Sequence, residues 1–318
     1  MKNYFELANK LVIRTEKSEG PICVISAPSA HEAREIMGSL QIDQHDFDSA
    51  LDPDEISRLE IEPELTTMIW KVPKQVTVEE ELHFDVASVG IFMQHASMTM
   101  LSADDSVSFP PKEFQGVASA RDVLLKYLFV TTRHYLGHLK VIKQITAELE
   151  SKISSSMENR YLLQMFALGE SLTYYMTAIE GNRGVLLKLA SKAKSLGFTE
   201  QQIDFLDDII VENKQSSRQA QIYSSVLSGL MDARGSIINN NMNILLKNLT
   251  MINIVFLPLN LIASIGGMSE FSMMTQGVSW QVSYFLFSVA MLAIGWLTWF
   301  ALSRTETQIH KKMTSGGR

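Results

Sequence analysis

Two apolar stretches near the C-terminal end limit this chain more than any other feature. No charged residue occurs between positions 248 and 269, and none between 271 and 303. A bilayer core of about 30 Å is crossed by roughly 20 apolar residues in helical form. Residues 249–268 and 282–302 each supply that length, so both are expected to span a membrane. The competing reading is a pair of buried helices in a soluble core, and charge-free length at a chain end weighs against it. Trp280, Trp296 and Trp299 suit placement at the lipid–water interface.

Charge then orients the spans. The connecting stretch holds Glu270 and no basic residue, whereas Arg304, Lys311, Lys312 and Arg318 follow the second span. The positive-inside rule puts the basic tail in the cytoplasm, and two crossings return the chain to its starting side. Both termini are therefore expected to be cytoplasmic. Residues 269–318 carry four basic and two acidic side chains, so the net charge of −7 is concentrated in the part before them. That acidity reads either as a cation-attracting body or as a solvated surface. It argues against a nucleic-acid partner, since no basic tract offsets it. The single cysteine, Cys23, allows no internal disulfide and points to a reducing compartment. Residues 1–10 mix charged and apolar types, so no cleaved signal is expected. With 46% apolar and 20% charged residues, wholesale disorder is excluded.

The expected organisation is an α+β cytoplasmic head over 1–115, a helical stalk region over 116–247 and a first span over 248–268. An external loop over 269–281, a second span over 282–302 and a basic tail over 303–318 complete it. In the head, residues 11–15, 22–26, 66–72, 86–93 and 97–101 are rich in β-branched or aliphatic side chains and predict strands. Residues 30–40 predict a helix, opened by Ser29 as N-cap with Glu32 three positions on. Asp52-Pro53-Asp54-Glu55 predicts a further short helix or turn.

From Ser119 the pattern turns helical. Val123, Leu124, Tyr127, Leu128, Tyr135, Leu139, Ile142, Ile145 and Leu149 recur mostly at three- and four-residue steps. A second helix is expected over 157–190, with Leu162, Met165, Phe166, Leu172 and Met176 near one face. Gly181 and Gly184 are expected to weaken its later part, and Gly197 to end it. No proline then occurs from Thr199 until Pro258, which predicts one helix over about 200–268, roughly 100 Å long at 1.5 Å per residue. A helix of that length needs neighbours, and packing against other copies supplies them.

One face of this helix mixes polar and apolar residues. Asp232, Asn239, Asn243, Leu246, Leu249 or Thr250, Asn253, Leu257, Asn260, Ser264 and Met268 follow at steps of three, four or seven. Asn253, Asn260 and Ser264 fall within the expected hydrocarbon, where unpaired polar groups are costly. Two readings remain open on the stripe alone. In a ring of identical copies each such residue forms a ring of oxygens around a pore. In a simple bundle the same residues hydrogen-bond between helices.

The stretch Asn243-Ile-Leu-Leu-Lys247-Asn248-Leu249-Thr250, then Pro258-Leu259, then Ala263-Ser264-Ile265-Gly266-Gly267-Met268-Ser269, resembles the CorA family of divalent-cation channels and transporters. That family's signature reads N-x-x-M-K-x-L-T, then P-L-T, then G-x-Y-G-M-N, at the same spacing. The segment from Leu51 to Glu60 is similar to a stretch of the family's head. The resemblance implies a homopentamer in a bacterial inner membrane, with the first spans lining a central pore. On matching positions it places Gly267 and Met268 at the outer mouth, and Asn243 at a polar ring near the cytoplasmic end. Leu246, Leu249 and Leu257 fall on apolar constrictions that gate by excluding water. Counted back without gaps, Asp232 falls on an acidic ring and Asp208 on a regulatory metal site between subunits. The departures are Ser269 for the signature Asn, Gly266 for its Tyr, Asn260 for the Thr of P-L-T, and Ser264 for its first Gly. Glu270 is the loop's only carboxylate, the candidate for attracting external cations.

Magnesium gives up its waters reluctantly, so a ring of amide oxygens can recognise the hydrated ion through its water shell. A serine hydroxyl is shorter and both donates and accepts. Ser269 therefore predicts a wider, less demanding ring, with Zn2+, Co2+ and Ni2+ joining Mg2+ as candidate cargo. No G-x-x-x-x-G-K-[ST] run occurs, so the electrochemical gradient rather than ATP is the expected drive. His134 and His138 stand four apart on a predicted helix and read either as metal ligands or as a solvated face. His31, His45, His83 and His95 are scattered singly in the head and read as ordinary, and Cys23 as a small core residue. No acid/base pair or nucleophile motif is present, so an enzyme and an organic cofactor are not expected. The alternative to conduction is a membrane-anchored sensor or scaffold of the same architecture.

Overall fold

The computed structural model describes the backbone of residues 1–17, 20–74, 77–79, 81–155 and 159–315. Side chains over 75–83, 153–159, 270–272 and 305–318 lie outside the described residues, among them those of His83, Glu270, Lys311, Lys312 and Arg318. The chain divides into two compact units, residues 1–232 and 233–318.

The first unit is built on a mixed sheet. Its strands are β1 (Lys2–Ala8), β2 (Leu11–Thr15), β3 (Ile22–Ser26), β4 (Arg58–Ile61), β5 (Thr66–Pro73), β8 (Val86–Gln94) and β9 (Ser97–Ser102), in the order β2-β1-β3-β9-β8-β5-β4. Among the described residues, only β3 and β9 pair in parallel. A separate two-stranded ribbon pairs β6 (Thr77–Glu79) with β7 (Glu81–His83). The five strands expected from composition are present, whereas β1, β4 and the ribbon were not expected.

Both faces of the sheet are covered. Every residue of β3 is buried, which explains its unbroken apolar run. Cys23, Ile25, Ile69, Phe92 and Leu101 face α1 (Ala30–Leu40) and α2 (Gln44–Leu51). Ile22, Val24, Met68, Trp70, Val89, Ile91 and Met100 join residues of α3 (Ala120–Ser155) and α4 (Asn159–Lys192) in a second cluster on the other face. Trp70 Nε1 donates to Thr131 Oγ1 at 2.9 Å, fixing α3 on the sheet.

Helix α1 starts where expected. Ser29 accepts from the Glu32 amide and the Glu32 carboxylate accepts from the Ser29 amide, a complete capping box. Asp52–Glu55 forms a turn, as expected, and a short helix that was not expected, α2 with Asp43 as its N-cap, precedes it. Arg58 at the start of β4 binds Asp46, Glu55 and Glu60 at 3.0, 3.0 and 2.8 Å.

All the spaced apolar residues expected on α3 are buried or half-buried. On α4, Met165 and Leu172 are buried, but Phe166 faces outward. Helix α4 continues through Gly181 and Gly184 to Lys192. A Cβ at Gly181 would stand 3.0 Å from Ser57 Oγ, so the glycine lets the helix approach the start of β4. Helix α5 (Glu200–Gly266) also opens with a reciprocal cap, Thr199 with Gln202. In the first unit its residues Leu206, Ile209, Ala220 and Leu227 are buried against the clusters below the sheet.

The second unit holds the remainder of α5, then α6 (Ser269–Met274) and α7 (Trp280–Ser315). The stretch expected as a loop between the spans therefore contains a short helix.

Candidate functional site: the outer face of helix α5

In the second unit, α5 and α7 are both long and apolar enough to cross a bilayer, and their most apolar windows are 6% and 0% buried within the chain. A core helix of a soluble protein would be mostly covered, so the soluble-core reading fails on exposure.

The two helices meet along narrow stripes. On α5 the half-buried or buried residues include Met251, Val255, Leu259, Ile262 and Gly266, and on α7 they include Ser283, Phe287, Met291, Gly295, Thr298 and Leu302. Two contacts mark the pairing, the first of them tight and the second at ordinary van der Waals distance. A Cβ at Gly266 would stand 2.5 Å from Phe287 Cζ, and a Cβ at Gly295 would stand 3.4 Å from Leu259 Cδ1. Ascending position on α5 pairs with descending position on α7, as antiparallel helices require. Small residues at such points let apolar helices close without a hydrophobic drive from water. Trp296 stacks on Phe300 at 5.4 Å, and the Arg304 guanidinium lies 4.8 Å over the same Phe300 ring.

The polar stripe lies on the opposite side of α5. At about 100° per residue, Asn253 and Val255 are about 200° apart, as are Asn260 and Ile262. Asn243, Leu246, Leu249, Asn253, Leu257, Asn260, Ser264, Gly267, Met268 and Ser269 are all exposed. The Thr250 hydroxyl donates to its own helix at Leu246 O, 2.7 Å away, leaving only its acceptor lone pairs outward. Pro258 lacks an N–H, so the Ile254 carbonyl has no helical donor. Asp232, the last residue of the first unit, and Asp208 are exposed on α5.

The end of α5 tightens before the chain turns. Gly267 N donates to Ala263 O at 3.0 Å, and Met268 N donates to Ile265 O at 3.1 Å, a shift from the α pattern to a three-residue step. Ser269 then opens α6. A Cβ at Gly267 would meet nothing closer than 3.6 Å, so its own chain does not demand glycine there.

Among the described residues, no three His, Cys, Asp or Glu side chains of one chain gather to hold a metal. His138 is not on a solvated face. It is buried between α3 and α4, its Nδ1 sharing a 2.6 Å hydrogen bond with Tyr175 Oη, and His134 lies exposed beside it with ring centroids 4.6 Å apart. Burial, helped by the neighbouring His134, lowers the His138 pKa to about 4.

Residues 23–304 match the family described as CorA-like Mg2+ transporter protein. A cobalt/magnesium transport protein CorA of Methanocaldococcus jannaschii is 25% identical over 254 residues, spanning 76% of this chain and 77% of that protein. The complete structure of the CorA magnesium transporter from the same organism superposes with a TM-score of 0.74 at 20% identity, over 96% and 98% of the two chains. The full-length CmaX protein gives 0.71 at 14% identity, over 96% and 97%. The ZntB cytoplasmic domain from Vibrio parahaemolyticus gives 0.58 at 9% identity, over 75% of this chain and 98% of that domain. These structural likenesses concern the fold: a sheet-containing head, long helices and two apolar C-terminal helices.

Proposed function

The chain belongs to the family of CorA-like Mg2+ transporter proteins, and we propose that it conducts divalent cations as a homopentamer whose α5 helices surround a central pore. The supporting observation is the position of the polar stripe. Asn253, Asn260 and Ser264 are exposed on the side of α5 turned away from α7. Facing lipid, those groups would have no hydrogen-bonding partner in the hydrocarbon. Facing a shared axis, they become successive rings of oxygen ligands, with Leu246, Leu249 and Leu257 as dewetting collars between them. Gly267, free of constraint within its own chain, suits close approach of copies at the mouth.

The relatives' names, a magnesium transporter and a cobalt/magnesium transport protein, make Mg2+ and Co2+ the first cargo to test. Ser269 in place of an asparagine widens the mouth ring, which extends the set to Zn2+ and Ni2+. Passage follows the gradient. A potential is worth about 2.3 kcal/mol per charge per 100 mV, hence roughly 4.6 kcal/mol for a divalent ion moving inward. The membrane is the bacterial inner membrane, with head and tail cytoplasmic, and Glu270 near the external mouth concentrates cations.

Asp232 supplies the regulatory element. Five carboxylates about 7 Å apart repel by roughly 2.4 kcal/mol per neighbouring pair at an effective dielectric of about 20. A bound divalent ion offsets that repulsion and holds the stalks together, and its loss lets them splay. Asp208 gives a second metal contact between subunits. One chain gathers no metal set among its described residues, so either site needs a neighbouring copy.

The test is divalent flux into liposomes carrying the purified full chain, with an indicator dye inside. Mg2+ and Co2+ should enter under an inside-negative potential, and Asn260→Leu should abolish entry. Absence of flux for Mg2+, Co2+, Zn2+ and Ni2+ under every gradient would favour a non-conducting sensor or scaffold, the reading that the Ser269 departure keeps alive.

A further inference from the structure

Among the described residues of the second unit, Gly266 is the sole buried one. What covers it is the edge of the Phe287 ring, whose Cζ and Cε2 stand 2.5 and 2.8 Å from where a Cβ would lie. Gly266 is also the last residue of α5, immediately before the Gly267–Met268 turn that delivers Ser269. The tightest closure between the two spans thus sits directly under the segment that forms the mouth. In the signature this chain resembles, the position of Gly266 holds a tyrosine, and here an aromatic ring reaches the same point from the other helix.

We propose that Phe287 is a positioning residue for ion discrimination. Its ring keys into Gly266 and fixes the register of α7 against the end of α5. The Leu259–Gly295 contact, seven residues back along α5 and eight residues on along α7, follows the same antiparallel pairing at ordinary van der Waals distance. At this end of α5 the helix pair cannot slide or rotate without lifting the Phe287 ring from its seat over Gly266. Met268 and Ser269 therefore leave α5 in one geometry, and a ring of Ser269 hydroxyls holds one diameter. A ring of ligands separates ions of equal charge only while its diameter is fixed, because selectivity depends on the geometry and field of the coordinating groups.

This inference rests on the proposed pore for its flux readout, and a second readout is independent of conduction. In liposomes, Phe287→Ala should shift the ratio of Mg2+ to Co2+ flux roughly fivefold from that of the unaltered protein, while Phe287→Tyr keeps the original ratio. Gly266→Ala should disturb the ratio, because its Cβ displaces the ring, and Gly266→Ala with Phe287→Leu should recover it. A purely structural role would lower the flux of both ions together and leave their ratio in place. The second readout is the spectrum of a spin label at Ser269→Cys in a Cys23→Ala background. Phe287→Ala should sharpen it, and Phe287→Tyr should not. An unchanged flux ratio in a conducting protein overturns the proposal. An unchanged spectrum overturns it whether or not the protein conducts, whereas a sharpened spectrum without conduction in the unaltered protein retains the keying and discards the pore.

Discussion

The carboxamide of Asn182 serves both backbone groups of Lys71: Oδ1 accepts from Lys71 N at 3.0 Å and Nδ2 donates to Lys71 O at 2.8 Å. Strand β4 pairs with β5 only as far as Ile69. Asn182, projecting from α4, continues the sheet edge where the neighbouring strand has stopped, and the Ser57 hydroxyl donates to the same Oδ1 at 2.9 Å. The helical layer is thereby tied to the sheet by direction as well as by apolar contact.

Removing that amide should be costly. Asn182→Leu leaves the Lys71 N–H and C=O buried without partners, at about 1–3 kcal/mol for each group. Hydrogen exchange of the Lys71 amide in the full-length protein should quicken by roughly 30-fold or more, the equivalent of about 2 kcal/mol. An unchanged rate would mean that another group replaces the carboxamide.

His138 makes the first unit sensitive to acid. Its neighbours include Tyr175, His134 and Phe84. Its pKa falls from an ordinary 6.5 to about 4 in the folded protein. Between those values the unfolded chain binds a proton that the folded chain does not, so stability rises with pH through this window. The contribution is complete above about pH 6.5 and lost as pH falls toward 4, by up to about 3 kcal/mol. Thermal unfolding followed from pH 7 to 4 should show this decline, and His138→Gln should flatten it.

Gly90 on β8 records how closely α2 lies on the sheet. A Cβ there would stand 2.4 Å from the Ala50 Cβ and 3.0 Å from Phe92 Cε2. Gly90→Ala should destabilise the first unit by about 1–3 kcal/mol through overpacking. Adding Ala50→Gly should return part of that loss, since it vacates the same space. Urea unfolding of the three variants checks it, and a double variant no better than Gly90→Ala would place the strain elsewhere.

At the proposed mouth, Ser269→Asn introduces a longer side chain carrying an amide oxygen. Its Mg2+ flux should rise relative to Zn2+ by roughly tenfold, about 1.4 kcal/mol of discrimination, in a competition assay. A ratio that does not move would remove Ser269 from the selectivity ring.

Much of the architecture is legible in the chain because it is written in local patterns. The two spans follow from missing charge, α1 from Ser29 and Glu32, and α3 from its three- and four-residue steps. What escapes has a tertiary cause. Strand β4 is four residues long with a salt-bridged arginine and a glutamate, so it carries little β-branched content and is defined by pairing with β5. Helix α2 holds His45, Asp46 and Asp48 among few apolar residues, and its signal is the Asp43 cap rather than periodicity. His138 reads as solvated because its four-residue spacing from His134 suggests a shared face. In three dimensions Tyr175 of α4 covers one ring and leaves the other outside. The keying of Phe287 into Gly266 joins two residues twenty-one positions apart, and nothing in either neighbourhood announces it. For the proposed pore, the stripe and the family signature are both sequence features, and the exposed position of the stripe opposite α7 adds the direction in which it points.

Imaging the full-length protein in lipid nanodiscs tests the central claim most directly. Five copies should surround one axis, with Asn253, Asn260 and Ser264 of every α5 turned inward and α7 on the outside. A particle with too few copies to enclose water, or one with the Asn253 and Asn260 carboxamides against lipid, would contradict it.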